Sequence, residues 1–580
     1  MNPCAKVRFM RHSWVWKLPL VSGSTTIALL SGLQTLGCSE DGHPSMLNPS
    51  PSASSTVPAA PLPFYADTRT PPVNDLAWTK CDWTTSTGVA KNVAECATMQ
   101  VPVRRGMANT RTIDIALKRY RPQASVRGQL WLINGGPGAA ASDFETALDI
   151  FSVVGKGLEI YLLDHRGTGR SNLLSCPAAE ATTSDAGGTI IGAEWVDCSA
   201  TQVAKWGDDL GGFNVTEAAT DLGEAIARTR HGTEDVYLYS VSYGTYLTQR
   251  YLQIYPDQPS GVVLDSICSP DSCKLLLAYD KAYDQTAQDI LAFCGKDAVC
   301  SEQLGTDPYA SLQTLEASLD AAHCSGLGWS RADLRHVLGF MVMYVGLRDY
   351  TPAVIKRLLR CSDNDVKSLK LFQQVISSIP LDGAGFSQVL SANIALSEMS
   401  EKPLPTQAAI AANVSNLAAS LDAGPRLSGA IGSWPTYPLD AYVGQFAETT
   451  VPMLMLNGTL DPQTPIAIAR PTGDHFTGTY QQFVEIPYAA HTTLTQSPID
   501  ANNNTCGAEL IRQFLAEPTA TLNTSCLDFV LPLDFSGSLK LTQALFGTDL
   551  PFADSVPKST NSVSAKPLTW LRWPMRQLGP

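Results

Sequence analysis

Histidine is scarce in this chain, with 8 among 580 residues, and no two cysteines stand at a C-x2-C spacing. A structural zinc site draws on such pairs and on neighbouring histidines, so zinc ligation is excluded as the use of the cysteines. Charge is sparse as well. Only 16% of residues are charged, below the usual quarter. Within that fraction 41 Lys and Arg face 54 Asp and Glu, for a formal net charge of −13. An acidic chain without a basic block in its body is a poor partner for nucleic acid. No G-x-x-x-x-G-K-[ST] run occurs, which removes the common phosphate-cradling loop. Beyond residue 38 no apolar stretch approaches the roughly 18 residues of a membrane-spanning helix.

What the chain does hold is 14 Cys, 43 Gly, 38 Pro and 44% hydrophobic residues. That is a loop-rich globular composition able to build a sizeable core. Fourteen cysteines are many for a cytosolic enzyme. The N-terminus points the same way. Lys6, Arg8, Arg11 and Lys17 form a basic region, a moderately apolar stretch runs from Leu18 to Gly37, and Cys38 ends it. Residues 1–38 therefore have the plan of a secretory signal. Thr35-Leu36-Gly37-Cys38 resembles a bacterial lipobox with Thr35 where Leu is usual, which makes Cys38 a candidate for lipidation. Ordinary cleavage and an uncleaved anchor are the alternatives. Residues 39–76 are rich in Pro, Ser and Ala without periodicity and read as a tether, because they cannot bury enough apolar surface to offset their ordering entropy. Export to the periplasm or the extracellular space, with or without a lipid tether to the cell envelope, is the expected localisation.

Setting aside Cys4 and Cys38 leaves Cys81, Cys96, Cys176, Cys198, Cys268, Cys273, Cys294, Cys300, Cys324, Cys361, Cys506 and Cys526. An even number in an exported chain suggests six disulfides. Neighbours in sequence make plausible pairs, and spacing alone does not prove them.

From Trp78 onward, strand-like and helix-like stretches alternate. Thr98–Arg104 and Ile113–Tyr120 show period-two patterning and read as an antiparallel pair. Short, continuously apolar runs of the buried parallel-strand kind follow at Gln129–Asn134, Glu159–Asp164, Val236–Val241, Gly261–Ile267, Pro452–Gly458 and Phe483–Tyr488. Helical patterns separate several of them, as at Val215, Ala219, Leu222 and Ile226. Such alternation predicts an α/β fold, a mostly parallel sheet with helices on both faces. Between Cys268 and Pro438 the strand signal disappears. Leu312, Leu315, Leu319 and Ala322 mark one helix there, and Ala353–Leu359, Val366–Ile379 and Gln407–Leu421 mark others. An all-helical insertion of that length predicts a cap over the active face rather than a loop. The expected division is a core over 77–267, a helical cap over 268–438, the rest of the core over 439–530, and an extension of unassigned role over 531–580. The three or four units that length alone suggests thus shrink to two interleaved ones.

One strand leads directly into chemistry. Val236-Tyr-Leu-Tyr-Ser-Val241 runs into Ser242-Tyr243-Gly244 and then a helical stretch, the plan of a nucleophile elbow, with Ser240 replacing the first Gly of G-x-S-x-G. A serine hydroxyl needs a base to take its proton and a carboxylate to orient that base. Asp461 and His491 follow the next two predicted strands, each just past the C-terminal end where open α/β sheets place their ligands. Gly135-Gly136-Pro137-Gly138 follows an earlier strand and leaves backbone N–H groups free. The N–H groups of Gly136 and Tyr243 are the candidate oxyanion hole. The loop Asp164-His165-Arg166-Gly167-Thr168-Gly169-Arg170-Ser171 lacks a proper G-x-G-x-x-G, and bracing of strand ends is the role expected for Arg166.

Asn134-Gly-Gly-Pro-Gly138, Asp164-His-Arg-Gly-Thr-Gly-Arg-Ser171, Ser242-Tyr-Gly-Thr245 and Leu460-Asp-Pro-Gln-Thr-Pro465, in this order, resemble the secreted tripeptidyl aminopeptidase and proline iminopeptidase branch of the α/β-hydrolases. Cys506–Cys526 resembles that group's C-terminal region. The resemblance covers residues 78 to 530. It implies the α/β-hydrolase fold with an inserted helical cap, and serine-dependent release of short N-terminal fragments from peptides, without metal or organic cofactor. Ser242 would be the nucleophile, His491 the base and Asp461 its orienting partner. Two departures bear on substrate: Asn134 stands where a His often precedes the Gly-Gly-Pro-Gly run, and Ser240 replaces the first elbow Gly. An aminopeptidase must also bind a free α-ammonium, normally with a carboxylate in the cap, where Asp333, Asp349, Glu398 and Glu401 are candidates. An esterase or amidase acting on small acyl substrates with the same triad is the second expectation. A catalytically idle binding protein on this fold is the third.

Overall fold

The computed structural model describes residues 76–557 except 86–87, 109, 123–124 and 379–384. The signal region, all but the last residue of the tether, Cys38 and the end of the C-terminal extension lie outside these residues.

Among the described residues, nine strands form one sheet in the order β1-β2-β3-β5-β4-β6-β7-β8-β9. They are β1 (Thr79–Thr85), β2 (Gly88–Pro102), β3 (Thr112–Tyr120), β4 (Gly128–Ile133), β5 (Leu158–Leu163), β6 (Asp235–Ser242), β7 (Gly261–Ile267), β8 (Met453–Gly458) and β9 (Gln481–Ile486). β1 to β3, and β3 with β5, pair antiparallel, and every pairing from β5 through β9 is parallel.

The central strands are apolar on both sides because the sheet is covered on both sides. In β4, Trp131 and Ile133 belong to one core while Leu130 and Leu132 belong to the other. β8 divides the same way, with Met453 and Met455 opposite Leu454 and Leu456. This is the two-residue period of a strand read out twice. Tyr237, Tyr239 and Val241 of β6 face one core, and Leu238 faces the other.

Some boundaries differ from the sequence reading. β2 begins well before Thr98 and stops at Pro102. β1 carries no alternating pattern, with one fully buried residue, Trp83, so periodicity had nothing to report there. β9 is an edge strand with partly exposed residues along its length rather than a continuously buried run. The helix expected over Gln407–Leu421 stops at Ser415. Just beyond it the Ala418 and Ala419 N–H groups donate to Asp284 Oδ1 at 2.7 and 3.3 Å, which draws the backbone out of the helical ladder. The helix Pro308–Asp320 buries Leu312, Leu315 and Leu319 and ends before Ala322. The helix Asp363–Ser377 covers most of the stretch read as 366–379.

Between β7 and β8 the described residues form ten helices, from Ala278–Lys296 to Ala423–Ser428, and no strand. Their inner faces join the sheet in one continuous apolar core, in which Leu264 and Met455 belong with Leu338, Leu369 and Ile394. Two of these helices begin with capping boxes, Ser330 with Asp333 and Ser362 with Asp365, which satisfy N–H groups that a helix start leaves unpaired. Part of the extension packs back on this layer. Phe546, from the helix Leu539–Phe546, stacks on Phe372 at 5.5 Å between ring centroids, and Arg357 lies over Phe546 and donates to Pro551 O.

Among the described residues, six disulfides join Cys81–Cys96, Cys176–Cys198, Cys268–Cys273, Cys294–Cys300, Cys324–Cys361 and Cys506–Cys526. Each links neighbours in the cysteine order. Among the described residues no helix is long and apolar enough to cross a membrane.

Candidate active site

Ser242 ends β6 and caps the helix Tyr243–Ile254 with φ 57° and ψ −131°. A non-glycine residue in that region is strained, and such strain persists where the surroundings over-determine it. The surroundings here are tight. A Cβ on Gly244 would stand 2.5 Å from Ile133 O, and one on Gly135 would stand 2.8 Å from Ser242 Cβ and 3.3 Å from its Oγ. The strand–turn–helix can close this far only because both positions lack a side chain. Ser240 is small enough for the remaining place, and its Oγ donates to Val263 O at 3.0 Å.

Gly135 N–H donates to Asn134 Oδ1, and Asn134 Nδ2 donates to Ala140 O, both at 2.8 Å. Asn134 therefore shapes the Gly-Gly-Pro-Gly turn from within. Gly136, at φ 109°, lies on the N-terminal side of a cis bond to Pro137. Among the turn and loop hydrogen bonds of the described residues, none takes up the N–H of Gly136 or of Tyr243. Tyr243 opens its helix, where backbone N–H groups have no partner within the helix.

Asp461 and His491 are in direct contact. His491 Nδ1 lies 3.0 and 2.9 Å from the two Asp461 oxygens. The carboxylate is held in turn by the N–H groups of Gln463 and Thr464 at 2.8 and 3.0 Å and by Thr464 Oγ1 at 2.9 Å. Thr464 Oγ1 also stands 3.3 Å from His491 Nδ1. With Nδ1 facing the carboxylate, Nε2 is the nitrogen left for chemistry. It is buried and has no hydrogen-bond partner among the described residues. Ser242, Asp461 and His491 thus share the C-terminal edge of the parallel strands. The Asp–His link is formed, and among the described residues no Ser242–His491 hydrogen bond is present.

The other candidates separate by environment. Asp333 is spent in its capping box. Glu401 Oε1 accepts from the N–H groups of Leu277 and Ala278, each at 3.1 Å, at the start of a helix. Asp349 accepts from Asp534 N–H, and burial pushes its carboxyl up to about 6. Glu398 is buried beside the helix Tyr243–Ile254, where it accepts from Arg250 Nη2 and Tyr246 Oη at 2.9 Å and from Tyr437 Oη at 2.5 Å. Arg250 neutralises it. Arg166 is fully buried, donating to both Asp221 oxygens at 2.8 Å and to Val103 O and Gly212 O. It braces strand ends and the helix Val215–Thr229. Among the described residues no cluster of three His, Cys, Asp or Glu side chains is arranged to hold a metal ion.

The sequence reading passed over Thr464, which touches both Asp461 and His491, although it lies inside the Leu460–Pro465 motif. It also passed over Asp265, a lone acid in an otherwise apolar strand.

Two family models match the chain. One, for the alpha/beta hydrolase fold, covers residues 130–317, and the other, for TAP-like proteins, covers residues 429–526. Among curated proteins, serine protease Hip1 of Mycobacterium tuberculosis is 27% identical over 268 residues, which is 42% of this chain and 49% of the relative. The chain spans about half the length of the curated relatives it matches. Among solved structures, a proline iminopeptidase of Mycobacterium smegmatis aligns at 13% identity and TM-score 0.33, over 73% of this chain and 98% of that one. An esterase of Thermogutta terrifontis aligns at 13% identity and TM-score 0.26, over 73% and 100%. With its strand order and these two matched segments, the chain has the α/β-hydrolase fold, and residues 429–526 match the model for TAP-like proteins.

Proposed function

We propose that the chain is a serine hydrolase that works through an acyl-enzyme. The observation carrying this reading is the His491–Asp461 pair, joined at 2.9 and 3.0 Å on the sheet edge where Ser242 occupies its strained turn. Asp461 holds the imidazole with Nδ1–H toward itself, so Nε2 takes the Ser242 proton as Oγ attacks the substrate carbonyl carbon. The carbonyl π pair moves onto oxygen, and the N–H groups of Gly136 and Tyr243 receive that oxyanion. His491 then passes its proton to the leaving nitrogen or oxygen as the bond to carbon breaks. Water repeats the sequence on the acyl-enzyme and regenerates Ser242. No metal or organic cofactor takes part in this scheme.

Peptides with free N-termini, from which short fragments are released, are the substrate class we favour. Support comes from the TAP-like segment and the likeness to a serine protease. A specific observation also keeps an esterase or amidase reading in play: Asp333, Glu398 and Glu401 each spend carboxylate oxygens on partners within the protein, and Asp349 is buried against Arg348 and Asp534. We further propose export, supported by six disulfides that an oxidising compartment would preserve, with Cys38 as the lipid attachment point. Replacing Cys38 with Ala should abolish metabolic incorporation of labelled fatty acid.

A fluorophosphonate probe, together with free and N-blocked peptide amides and simple esters, tests the main reading. Labelling at Ser242, lost in Ser242→Ala, is the expected result. Absence of labelling overturns the hydrolase reading. Equal cleavage of free and blocked peptides overturns the exopeptidase assignment alone.

A further inference from the structure

β7 lies between the strand that carries Ser242 and the strand that leads to Asp461, and it contributes no member of the triad. Just before its last residue, Ile267, it nevertheless carries the polar pair Asp265 and Ser266 in an otherwise apolar run. Asp265 pairs in register with Val241 on one side and Leu456 on the other, so it sits level with the residue before the nucleophile. Its carboxylate is buried and heavily used. Oδ1 accepts from Thr493 N–H at 2.8 Å, from Thr493 Oγ1 at 2.7 Å and from Ser266 Oγ at 3.3 Å. Oδ2 accepts from Leu494 N–H at 3.0 Å and Tyr239 Oη at 2.8 Å. Ser266 Oγ accepts from Thr492 N–H at 2.7 Å.

Three consecutive backbone N–H groups directly after His491 are therefore bound by two side chains of β7. The backbone they hold is not one the chain adopts freely. Thr492 has φ 68° and Ser266 has φ 58°, both in the region unfavourable to residues with a Cβ. Strain of that kind needs fixed partners to persist. The far end of the loop is tied as well, since Gln496 Oε1 accepts from Val345 N–H and its Nε2 donates to Met343 O.

We propose that Asp265, with Ser266, is a positioning clamp for the catalytic histidine. Asp461 orients the imidazole ring, and Asp265 fixes the backbone that carries it, at the height of the strand bearing Ser242. The proposal rests on the serine hydrolase reading above. It assigns Asp265 no contact with substrate. Asn at this position keeps the shape but has only one acceptor oxygen, so it cannot serve Thr493 and Leu494 together.

The test compares wild type, Asp265→Asn, Ser266→Ala and Ile226→Ala, the last a core variant in the helix Val215–Thr229 that controls for lost stability. Three quantities are measured on the full chain: the rate of fluorophosphonate labelling at Ser242, kcat and KM on an ester, and the downfield proton resonance of His491 Nδ1–H. We expect Asp265→Asn to slow labelling and kcat by about tenfold or more, as a small misplacement of a reacting group does. KM should stay within about twofold and the resonance should shift or broaden. Ser266→Ala should show the same pattern, weaker, and decides the matter if Asp265→Asn does not fold. Ile226→Ala should lower the melting temperature and leave the resonance in place. A folded Asp265→Asn or Ser266→Ala with wild-type rates and resonance overturns the clamp. So does a rate loss that Ile226→Ala reproduces at equal melting temperature. Wild type that does not label at Ser242 overturns the hydrolase reading itself, a separate result.

Discussion

Gly458 lies directly against Ala489: a Cβ on the glycine would stand 2.3 Å from the Ala489 carbonyl oxygen. That oxygen also accepts from Leu460 N–H at 3.0 Å. The turn bearing Asp461 and the turn bearing His491 are thus packed backbone to backbone, and their separation is set before either side chain is considered. Gly458→Ala must push them apart. We expect a loss of about 1–3 kcal/mol in unfolding free energy, the range for overpacking, with a fall in kcat larger than any change in KM. Urea unfolding and steady-state kinetics on one preparation check this.

Thr464 donates to the carboxylate that holds His491. Thr464→Val keeps the volume and deletes the hydroxyl. A hydrogen bond to a charged acceptor contributes about 1.5–3 kcal/mol, so kcat should fall by about tenfold or more while folding is retained. Circular dichroism and kcat measured side by side give the answer.

His165 is buried and its Nε2 has no partner among the described residues. Burial lowers its pKa from 6.5 to about 4. Between those values the unfolded chain binds a proton that the folded chain refuses. Stability is therefore lost as pH falls from 6.5 toward 4, by up to about 3 kcal/mol from this residue. Asp280 and Asp349, each raised to about 6 by burial, act in the opposite sense, so the difference between wild type and His165→Phe is the quantity to measure. On going from pH 7 to pH 4.5 the urea midpoint should fall less, or rise more, in the variant than in wild type.

Arg250 and Glu398 form a buried pair at 2.9 Å. Glu398→Ala leaves the buried guanidinium with only the more distant Asp440 carboxylate, 3.8 Å away, which costs up to about 3–5 kcal/mol. KM should move by the same factor for peptides with free and with blocked N-termini, because the carboxylate is already neutralised. A selective rise for free peptides would make Glu398 the amine anchor instead.

The Cys324–Cys361 bridge closes a loop of sequence separation 37 within the helical insertion. Chain entropy assigns such a loop about 4 kcal/mol of stabilisation. The double alanine variant should lose roughly that amount in denaturant titration and still be labelled at Ser242 at 25 °C.

The parts of this fold most legible in the sequence are those whose burial is locally uniform. β4 through β8 are buried at every position apart from the first of β6, and continuous apolar runs announce them. Ser242, Asp461 and His491 were legible because each stands at a strand end beside small residues. β1 was not, since its place depends on pairing with β2 rather than on any period of its own. The early end of the helix at Ser415 depends on Asp284, a residue more than a hundred positions away in the chain. Asp265 was hidden for the same reason: a lone acid in an apolar strand looks like an exception until the loop after His491 is seen to fold onto it.

The interruption of the sheet by the helical insertion also sets an order of events in synthesis. β7 pairs with β8 across the whole insertion, a contact of high sequence separation that forms late. Roughly 250 residues separate Ser242 from His491, so at about 5–20 residues per second the serine is made tens of seconds before the histidine. On the serine hydrolase reading proposed above, a chain built in this order has no assembled triad until its last strand docks.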